Sequence, residues 1–511
     1  MMRKVIAAAV PAALLVAVGP VAASPQPSLG AVQPAWARPV DLPVDQIIAQ
    51  SSPVLAMIDG SARDPKPAVV VGDRSGQLHA VDLATGSHRV LYSSSIPIDA
   101  PPSAAPVSPG ALDTVFFGRG NQAVACQGSD GAWGGYTAVR ADGTVLWKAK
   151  VNNPPGDTSC THNGVMAGMS LMTIKGSLSV IGMSLGQAEH GFVAATGAPL
   201  AGWNPWFQAD SSTSTVAVAQ LNGPTGPPSI IEGGDSTQGN AYGVQYYDGG
   251  HVRIIKAQGN RGTPGSGGLR CIFDTYGQGG QIVASSPAVG GFLARGAIGI
   301  ASGQGFFAPY HGPVNRLWVV NTSCQKVWSA KTDYLTSSPI LVDVNGDGKL
   351  DVVIGTQDVS TGGSTANGSV YAFDGATGVQ LWKKVTGSVV GSLAAADLQG
   401  TGHADIVVPS VDGGRGGLQI LDGTDGSLLW STSEAVSQGT PLVTAEADGT
   451  IGLTLAGYHG VLVDHQVRLA GTIRHFSIEG SSAANLANPL TSWLEFHHDP
   501  RLSGNAAGPL P

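Results

Sequence analysis

The chain has 511 residues and a formal net charge of −8, with 12% charged and 42% hydrophobic side chains. This acidic balance, without visible clusters of Lys and Arg, argues against binding to the phosphate backbone of nucleic acid. The apolar content is ample for a core, and 73 Gly and 33 Pro favour short buried strands joined by tight turns. We therefore expect an all-β fold.

Residues 1–23 have the pattern of a secretory signal peptide. Arg3 and Lys4 form a positive start, residues 5–18 form an apolar run, and the small residues at 21–23 provide a cleavage site. The run is short for a membrane span, no Cys stands beside it for lipid attachment, and no later segment reaches about 18 uninterrupted apolar residues. We expect a secreted, extracytoplasmic protein without a transmembrane segment.

Residues 24–50 are rich in Pro and Ala and lack periodicity, so they predict a linker. A pattern of four short strands, separated by polar or Gly-containing turns, begins after Ser51. The predicted strands cover residues 54–58, 68–72, 77–82 and 89–92. Four strands in about forty residues predict one small sheet.

The end of this pattern recurs along the chain as a strand, a turn and an aromatic residue. The clearest copies are HAVDLATGSHRVLY (79–92), YTAVRADGTVLW (136–147), FVAATGAPLAGW (192–203), LWVVNTSCQKVW (317–328), VYAFDGATGVQLW (370–382) and LQILDGTDGSLLW (418–430). The opening also recurs, as Ser-Pro pairs at 52, 286 and 338. Counted by both signals, the copies begin near residues 51, 98, 160, 210, 283, 336, 389 and 438.

A period of roughly fifty residues with four strands per copy is typical of the blades of a β-propeller. We expect a single propeller domain over residues 51–505, with eight four-stranded blades as the main prediction and seven as the alternative. Small residues at the start of each copy suit first strands that crowd around the axis, and the Trp after the turn suits the wider gap between blades. Two β-sandwiches would need no internal period and explain the repeats poorly.

Four cysteines in a chain expected to be secreted are an even set, which suggests two disulfides. Of the three possible pairings, the sequence-local one joins Cys126 to Cys160 and Cys271 to Cys324. The alternative is that these residues are free, buried thiols.

The stretch DVNGDGKLDVVIG has the pattern of a calcium loop. Oxygen-bearing side chains occupy positions 1, 3, 5 and 9, and they are Asp343, Asn345, Asp347 and Asp351. Gly348 stands where the backbone must turn sharply, and the main-chain carbonyl of Lys349 can complete the ligand set. An EF-hand would need Glu at position 12 and a following helix, but Ile354 stands there and the Val-Val-Ile run favours a strand. We therefore expect one structural Ca²⁺ in a loop that leads into a strand.

This loop, preceded by Ser338-Pro339, resembles the FG-GAP or VCBS repeat of integrin α-chain propellers and of many bacterial surface proteins. The resemblance implies that the four acidic and amide residues named above hold calcium. VYAFDGATGVQLW resembles the repeat of quinoprotein-type (PQQ-like) propellers, whose recurring residues dock one blade on the next. The residues that match this repeat are Ala372, Asp374, Gly378 and Trp382.

Two later segments extend or depart from these patterns. Residues 493–504 resemble a Trp- and Asp-containing segment at the ends of quinoprotein-like propellers, which implies a C-terminal segment that helps to close the ring. The loop at 397–405 repeats the calcium spacing, but Gln399 and Thr401 replace Asn and the central Asp and leave two carboxylates. We expect the metal site in this second loop to be weak or empty.

Three further patterns are compatible with catalysis but have simpler interpretations. GMSLG at 182–186 fits a nucleophile elbow, but no amphipathic helix follows it. Glu232 and Asp235 could pair for glycosidic chemistry, although a blade turn explains them better. His497-His498-Asp499 suits a solvated or ring-closing tail better than a metal site. The Cys-Cys pair found in many quinone-dependent dehydrogenases is absent from the sequence.

The expected function follows from the expected fold, which presents long loops on one face of a rigid ring. The longest Gly-rich and polar insertions, at 119–135, 256–283 and 358–369, are candidates for a recognition surface. We expect a binding or adhesion module for an extracellular protein or carbohydrate, without catalytic residues. The alternative is a secreted propeller enzyme, either a quinoprotein-type dehydrogenase or a polysaccharide-cleaving enzyme.

Overall fold

The computed structural model describes residues 28–121, 133–152, 161–186, 188–203, 206–207, 213–223, 226–236, 239–241, 244–246, 249–259, 268–275, 285–305, 315–335, 337–357, 368–412 and 415–508. The signal peptide expected at 1–23 and the expected disulfide between Cys126 and Cys160 lie outside these residues. In the described part of the chain, eight antiparallel sheets form the blades of a β-propeller, which confirms the main prediction. Seven blades have four strands, and the eighth has five.

Blades 1 to 4 come from residues 54–274, and each uses four strands in sequence order from the axis outward. The strands are Val54–Ser61, Asp64–Gly72, Gln77–Asp82 and His88–Ser93 in blade 1; Ser103–Ala105, Thr114–Arg119, Gly135–Val139 and Val145–Ala149 in blade 2; Met169–Ile174, Ser177–Met183, Ala188–Val193 and Trp206–Phe207 in blade 3; and Ala217–Ala219, Ser229–Ser236, Gly249–Lys256 and Leu269–Asp274 in blade 4. A small hairpin, Gly239–Ala241 with Val244–Tyr246, connects two strands of blade 4.

Blades 5 to 7 repeat this order, and blade 8 combines both ends of the chain. The strands are Ala288–Leu293, Ala297–Gln304, Arg316–Asn321 and Lys326–Lys331 in blade 5; Ile340–Val342, Asp351–Gly355, Ser369–Phe373 and Gln380–Val385 in blade 6; Ala394–Ala396, Asp405–Asp412, Arg415–Leu421 and Leu428–Thr432 in blade 7; and Leu442–Ala445, Ile451–Val463, Gln466–Ile478, Val32–Pro34 and Val40–Val44 in blade 8. Short 3₁₀ turns occur at Thr161–Asn163, Ala294–Gly296 and Ala483–Ala487.

The linker predicted at residues 24–50 is wrong in part, because two strands of blade 8 lie within it. Val32–Pro34 and Val40–Val44 both pair antiparallel with the last strand, Gln466–Ile478, so they complete blade 8. The Pro- and Ala-rich composition of 24–50 hid these strands because they are only three and five residues long, so the alternation of buried and exposed residues in Val40–Val44 covers too few positions to mark a strand. The two ends of the folded chain are thereby joined in one sheet.

The tryptophans after the third-strand turns join neighbouring blades, as the quinoprotein-type resemblance implies. The indole Nε1 of Trp382 donates to the carbonyl of Gly423 in blade 7 at 2.6 Å, and that of Trp328 donates to Gly375 in blade 6 at 2.9 Å. The ring of Trp328 also packs against Gly378, where a β-carbon would approach the ring to 2.6 Å. A glycine in this turn therefore lets the indole of the preceding blade dock closely.

A C-terminal segment, residues 488–508, follows the inner strands around the axis. One backbone N–H in or beside the inner strand of every blade donates to an acceptor in this segment, at 2.7 to 3.1 Å. In the order of blades 6, 7, 8, 1, 2, 3, 4 and 5, the acceptors are on Leu490, Trp493, Leu494, Glu495, Pro500, Arg501, Ser503 and Gly504. The segment thus contacts all eight blades and occupies the centre of the ring.

A disulfide links blades 4 and 5. Cys271 on the outer strand of blade 4 forms a disulfide with Cys324 in a turn of blade 5, with the α-carbons 5.8 Å apart, as the sequence-local pairing predicts. This bond links two neighbouring blades at their outer edge.

No helix in the described part of the chain is long and apolar enough to cross a bilayer.

Candidate functional site

A cavity of about 450 Å³ lies on the propeller axis, at the end where the inner strands begin. Residues just before the inner strand of every blade line it, and they include Ser52, Pro101, Met166, Thr215, Ser286, Ser338, Gly391 and Gln438. Phe496 of the C-terminal segment also lines the cavity. The space is therefore an axial cup whose wall comes from the blades and whose base comes from the C-terminal segment.

Hydroxyl groups at the wall of the axial cup tie neighbouring blades together. The backbone N–H of Thr215 donates to Ser286 Oγ at 2.9 Å, that of Ser286 donates to Ser338 Oγ at 2.9 Å, and that of Thr440 donates to Ser52 Oγ at 2.9 Å. This explains the recurring Ser-Pro openings, which the sequence indicated only as small residues. Since a hydroxyl has one donor and two acceptor positions, each of these groups can still donate its own proton.

The charge in the described wall of the axial cup is small and compensated. Asp99 is buried, and its carboxylate accepts from Arg74 Nε at 3.1 and 3.2 Å and from Asn121 Nδ2 at 2.9 Å. Amide side chains of Gln50, Gln357 and Gln438 and the ring of Tyr334 supply much of the remaining polar lining. The cup therefore offers mainly neutral donors and acceptors.

The C-terminal segment at the base of the axial cup contains buried ionisable residues. Burial raises the pKa of Glu495 well above its ordinary value, and its Oε2 accepts the N–H of Leu55 at 3.1 Å. Burial lowers the pKa of His497 to about 4, and its Nε2 donates to the carbonyl of Val216 at 3.1 Å. His498 and Asp499 bond to each other at 3.2 Å. These contacts give the His497-His498-Asp499 sequence a packing role at the centre of the ring.

The predicted calcium loop connects the first two strands of blade 6. Asp343 Oδ1 accepts the N–H of Gly346 at 2.7 Å, and its Oδ2 accepts the N–H of Gly348 at 2.8 Å. Both glycines have positive φ, 75° and 78°, so the loop curls around the first carboxylate. Asp351 Oδ2 accepts the N–H of Val344 at 3.3 Å from the opposite side.

The residues of this blade 6 loop carry oxygen donors that suit a hard cation, although the carboxylates do not all point to one common centre. Asp347 turns outward to the ammonium of Lys349 at 2.7 Å, while Asp343 and Asp351 are buried. Burial, together with the carboxylates of Asp343, Asp347 and Asp374, raises the pKa of Asp351 to about 7. Buried oxygen donors that repel one another are the chemistry that Ca²⁺ favours, because the ion offsets this repulsion.

The corresponding loop of blade 7 keeps the same backbone frame. Asp397 accepts the N–H groups of Thr401 and Gly402 at 2.8 and 2.9 Å, and Asp405 Oδ2 accepts the N–H of Leu398 at 3.1 Å. Here Gln399 Nε2 donates to Asp405 Oδ1 at 2.9 Å. The loop therefore folds like its blade 6 counterpart, although two of the calcium positions have lost their ligands.

Comparison with known proteins supports the resemblance found in this region. Residues 336–373 match the FG-GAP repeat family. The matched residues contain the blade 6 loop together with the first three strands of that blade. The prediction of an FG-GAP repeat is thereby confirmed for blade 6. A comparison with curated proteins found no match.

Among solved structures, the chain is similar in fold to BamB from Moraxella catarrhalis, with 12% identity, a TM-score of 0.44, and coverage of 87% of this chain and 97% of that one. It is also similar to a europium-containing methanol dehydrogenase, with 11% identity, a TM-score of 0.46, and coverage of 85% and 93%. A computationally designed protein, Ika8, matches at 15% identity and a TM-score of 0.42, with coverage of 86% and 99%. At these identities the likeness concerns the fold alone.

The carboxylate considered for glycosidic chemistry belongs to a buried ion cluster between blades 3 and 4. Glu232 contacts Arg253 Nε and lies 3.4 Å from His251 Nε2, and Arg253 also reaches Glu189 at 3.2 Å. All four side chains are fully buried. Burial and the charge of Glu232 raise the pKa of Glu189 well above its usual value. Burial also acts to raise the pKa of Glu232, but Arg253 and His251 outweigh this effect and lower it. The cluster is closed to solvent in this structure, and Arg253 links the carboxylates of the two blades.

The other catalytic pattern, GMSLG at 182–186, does not form a nucleophile elbow. Ser184 directly follows the strand Ser177–Met183, and the next element is another strand, Ala188–Val193. Its hydroxyl donates to the carbonyl of Ala188 at 2.9 Å. The side chain of Asp235 and most of the insertions at 119–135, 256–283 and 358–369 lie outside the described residues.

Sequence reasoning missed two sets of residues that the fold brings together. The axial cup draws residues from all eight blades, and the only sequence signal was the repeated Ser-Pro opening. In blade 7, one ligand atom from each of His403, Asp405 and Asp422 lies within 4.8 Å of the others. His403 occupies position 7 of the degenerate loop, and that substitution was the signal that could have been noticed.

Proposed function

We propose that the protein is a secreted binding module whose axial cup holds a neutral, polyhydroxylated part of a carbohydrate ligand. The loops around the cup would add contacts, and one structural calcium ion would reinforce blade 6. The observation that carries the proposal is the lining of the cup, in which hydroxyl and amide groups from many blades converge on one space of about 450 Å³.

Several properties of the cup support a carbohydrate over a charged ligand. Sugar hydroxyls both donate and accept hydrogen bonds, and the amides of Gln357 and Gln438 and the hydroxyls of the wall do the same. The ring of Tyr334 offers an apolar face of the kind that suits a sugar ring. Asp99 is engaged with Arg74, so the described wall lacks the second carboxylate that glycosidic cleavage would need.

The calcium part of the proposal rests on donor chemistry in the blade 6 loop. Asp343, Asn345, Asp347, Asp351 and the carbonyl of Lys349 would hold the ion, which would link the first two strands of the blade and stabilise the folded state. The loop connects the end of the inner strand to the start of the second, whereas the cup lies where the inner strands begin. Calcium would therefore act on stability without touching the ligand.

A glycan array probed with the full-length protein, followed by calorimetry with the best ligand, tests the proposal. We expect Gln438→Ala and Gln357→Ala each to weaken binding by about three- to tenfold, because each removes a hydrogen bond to the ligand. Gln466→Ala serves as the control because Gln466 is exposed at the tip of the last hairpin of blade 8. This variant should bind like the unmodified protein.

Two results would overturn the proposal. One is carbohydrate binding that both cup variants leave unchanged, or the absence of any glycan ligand while a protein partner binds. The other is oxidation of alcohols or sugars when the protein is supplied with pyrroloquinoline quinone and calcium, which would indicate the enzyme alternative.

A further inference from the structure

The degenerate loop of blade 7 contains a cluster of side chains whose chemistry differs from that of a calcium loop. His403 and Asp405 come from the loop itself, and Asp422 comes from the turn after the third strand of the same blade. One ligand atom from each of the three lies within 4.8 Å of the other two. No other described group of three His, Cys, Asp or Glu residues meets this condition.

Two buried polar atoms in the same loop lack partners. His403 Nδ1 and Thr401 Oγ1 are shielded from solvent and make no hydrogen bond in the described part of the chain. A buried polar atom without a partner costs about 1–3 kcal/mol, so such atoms in a native protein commonly face a ligand or a water. The unpartnered imidazole nitrogen of His403 is an independent sign that the cluster takes a ligand.

The donor atoms decide which ligand this cluster would take. Calcium prefers six to eight oxygen donors, whereas one imidazole nitrogen and two carboxylates suit a divalent first-row transition cation such as zinc. In a calcium loop position 7 supplies a main-chain oxygen, but here the side chain of His403 points toward the carboxylates of Asp405 and Asp422. We propose that His403, Asp405 and Asp422 form a binding site for a divalent transition cation, with zinc as its reference ion.

Gln399 gives this blade 7 zinc site a fourth donor. Its Nε2 now donates to Asp405 Oδ1 at 2.9 Å and to Asp422 Oδ2 at 3.4 Å, so the amide lies between the two carboxylates. A 180° flip of this side-chain amide would place Oε1 where Nε2 now lies, since the oxygen and the nitrogen of an amide group have nearly the same size and shape. Three protein ligands with an amide oxygen or a water complete a tetrahedral zinc site. The ligand atoms need to draw inward by only about 1–2 Å to reach zinc distances.

The test uses full-length protein that has been stripped with chelator and dialysed. Zinc is titrated in competition with a chromophoric chelator, and bound metal is counted by elemental analysis after removal of free ions. We expect one zinc per chain, and calcium at millimolar concentration should not displace it. His403→Ala and Asp422→Asn should each weaken zinc binding by at least about tenfold, since removal of even an indirect partner of a zinc ligand commonly costs that much.

The matched control is His465→Ala, which removes an exposed histidine at the tip of the last hairpin of blade 8. It should leave zinc affinity and stoichiometry unchanged. Asp422→Asn keeps the hydrogen bonds that Asp422 accepts from Thr424, so it remains informative if the histidine variant folds poorly. Circular dichroism of each variant before titration verifies the fold.

Three outcomes would overturn the proposal. The first is that the unmodified protein, after loading with zinc and removal of free ions, retains no zinc, which would mean that the Gln399 amide is the permanent occupant of the cluster. The second is that His465→Ala reduces zinc binding as much as His403→Ala, which would indicate adventitious surface binding. The third is that calcium displaces the zinc stoichiometrically, which would indicate a calcium site with a histidine beside it.

Discussion

Blades 6 and 7 carry two versions of one loop that differ mainly in side chains. In both loops the aspartate at position 1 accepts backbone N–H groups from the middle of the loop. The aspartate at position 9 accepts the backbone N–H of the residue at position 2. Both loops also have glycines with positive φ at positions 4 and 6, which are Gly346 and Gly348 in blade 6 and Gly400 and Gly402 in blade 7. The shape of the loop therefore does not depend on having the full calcium ligand set.

The difference lies at positions 3, 5 and 7. Blade 6 has Asn345, Asp347 and Lys349, which carry oxygen atoms of the kind that a hard cation prefers. Blade 7 has Gln399, Thr401 and His403, which remove one carboxylate and introduce an imidazole. The first and ninth positions therefore maintain the loop in both blades, while the three positions that differ set which donor atoms the loop offers.

The largest effect is expected from removing the ninth aspartate of blade 6. Asp351→Ala should abolish the calcium-dependent part of the stability, which amounts to about 2.7 kcal/mol when calcium is at 100 times its dissociation constant. Urea unfolding with calcium and with chelator measures this difference. The counterpart variant Asp405→Ala should retain the full calcium effect. If the unmodified protein unfolds at the same urea concentration with and without chelator, blade 6 holds no structural calcium.

An intermediate effect is expected from giving blade 7 the ligands of blade 6. The triple variant Gln399→Asn, Thr401→Asp, His403→Lys gives blade 7 the side chains that blade 6 has at positions 3, 5 and 7. These side chains should suffice for calcium binding because the backbone frame of the loop is already present. We expect the calcium stoichiometry measured by calorimetry to rise from one to two per chain. His403→Lys alone should lose zinc binding without gaining calcium. A triple variant that still binds one calcium would show that the frame of blade 7 differs in a way that side chains cannot repair.

The smallest effect is expected at Lys349 of blade 6. Its ammonium contacts Asp347 at 2.7 Å in an exposed ion pair, and the residue would serve calcium only through its main-chain oxygen. Lys349→Ala frees Asp347 to turn inward, and calcium affinity should rise by no more than about fivefold. Calorimetric titration of calcium measures the change, with His403→Ala as the matched substitution in blade 7. A loss of calcium binding in Lys349→Ala would mean that the side chain itself helps to shape the site.

The blade pattern and the blade 6 loop could be predicted from sequence because both are local. Blades 1 to 7 are each built from strands that follow one another, so strand, turn and Trp recur at nearly constant spacing and Trp382 meets the turn of the next blade. The FG-GAP loop is similarly contained in nine consecutive residues, and Gly348 turns the chain where its position predicted.

The pairing of Val32–Pro34 with the last strand was missed because no short-range pattern marks it. The partners of this pairing are Val32 with Ile478 and Pro34 with Phe476, so they are separated by almost the whole chain. The cluster in blade 7 was missed for a related reason. Asp422 lies in the strand–turn–Trp copy at 418–430, outside the loop at 397–405, and only the folded sheet brings it to His403.

By itself, the sequence determined the all-β class, the eight repeats and the loop that matches the FG-GAP repeat, because residue spacing specifies turns and strands within a blade. Only the tertiary structure decided that residues 32–44 complete blade 8, that the C-terminal segment fills the centre, and that serines of different blades surround one cup. These features join residues from different blades, and their positions depend on closure of the ring, which brings together parts of the chain that no repeat relates.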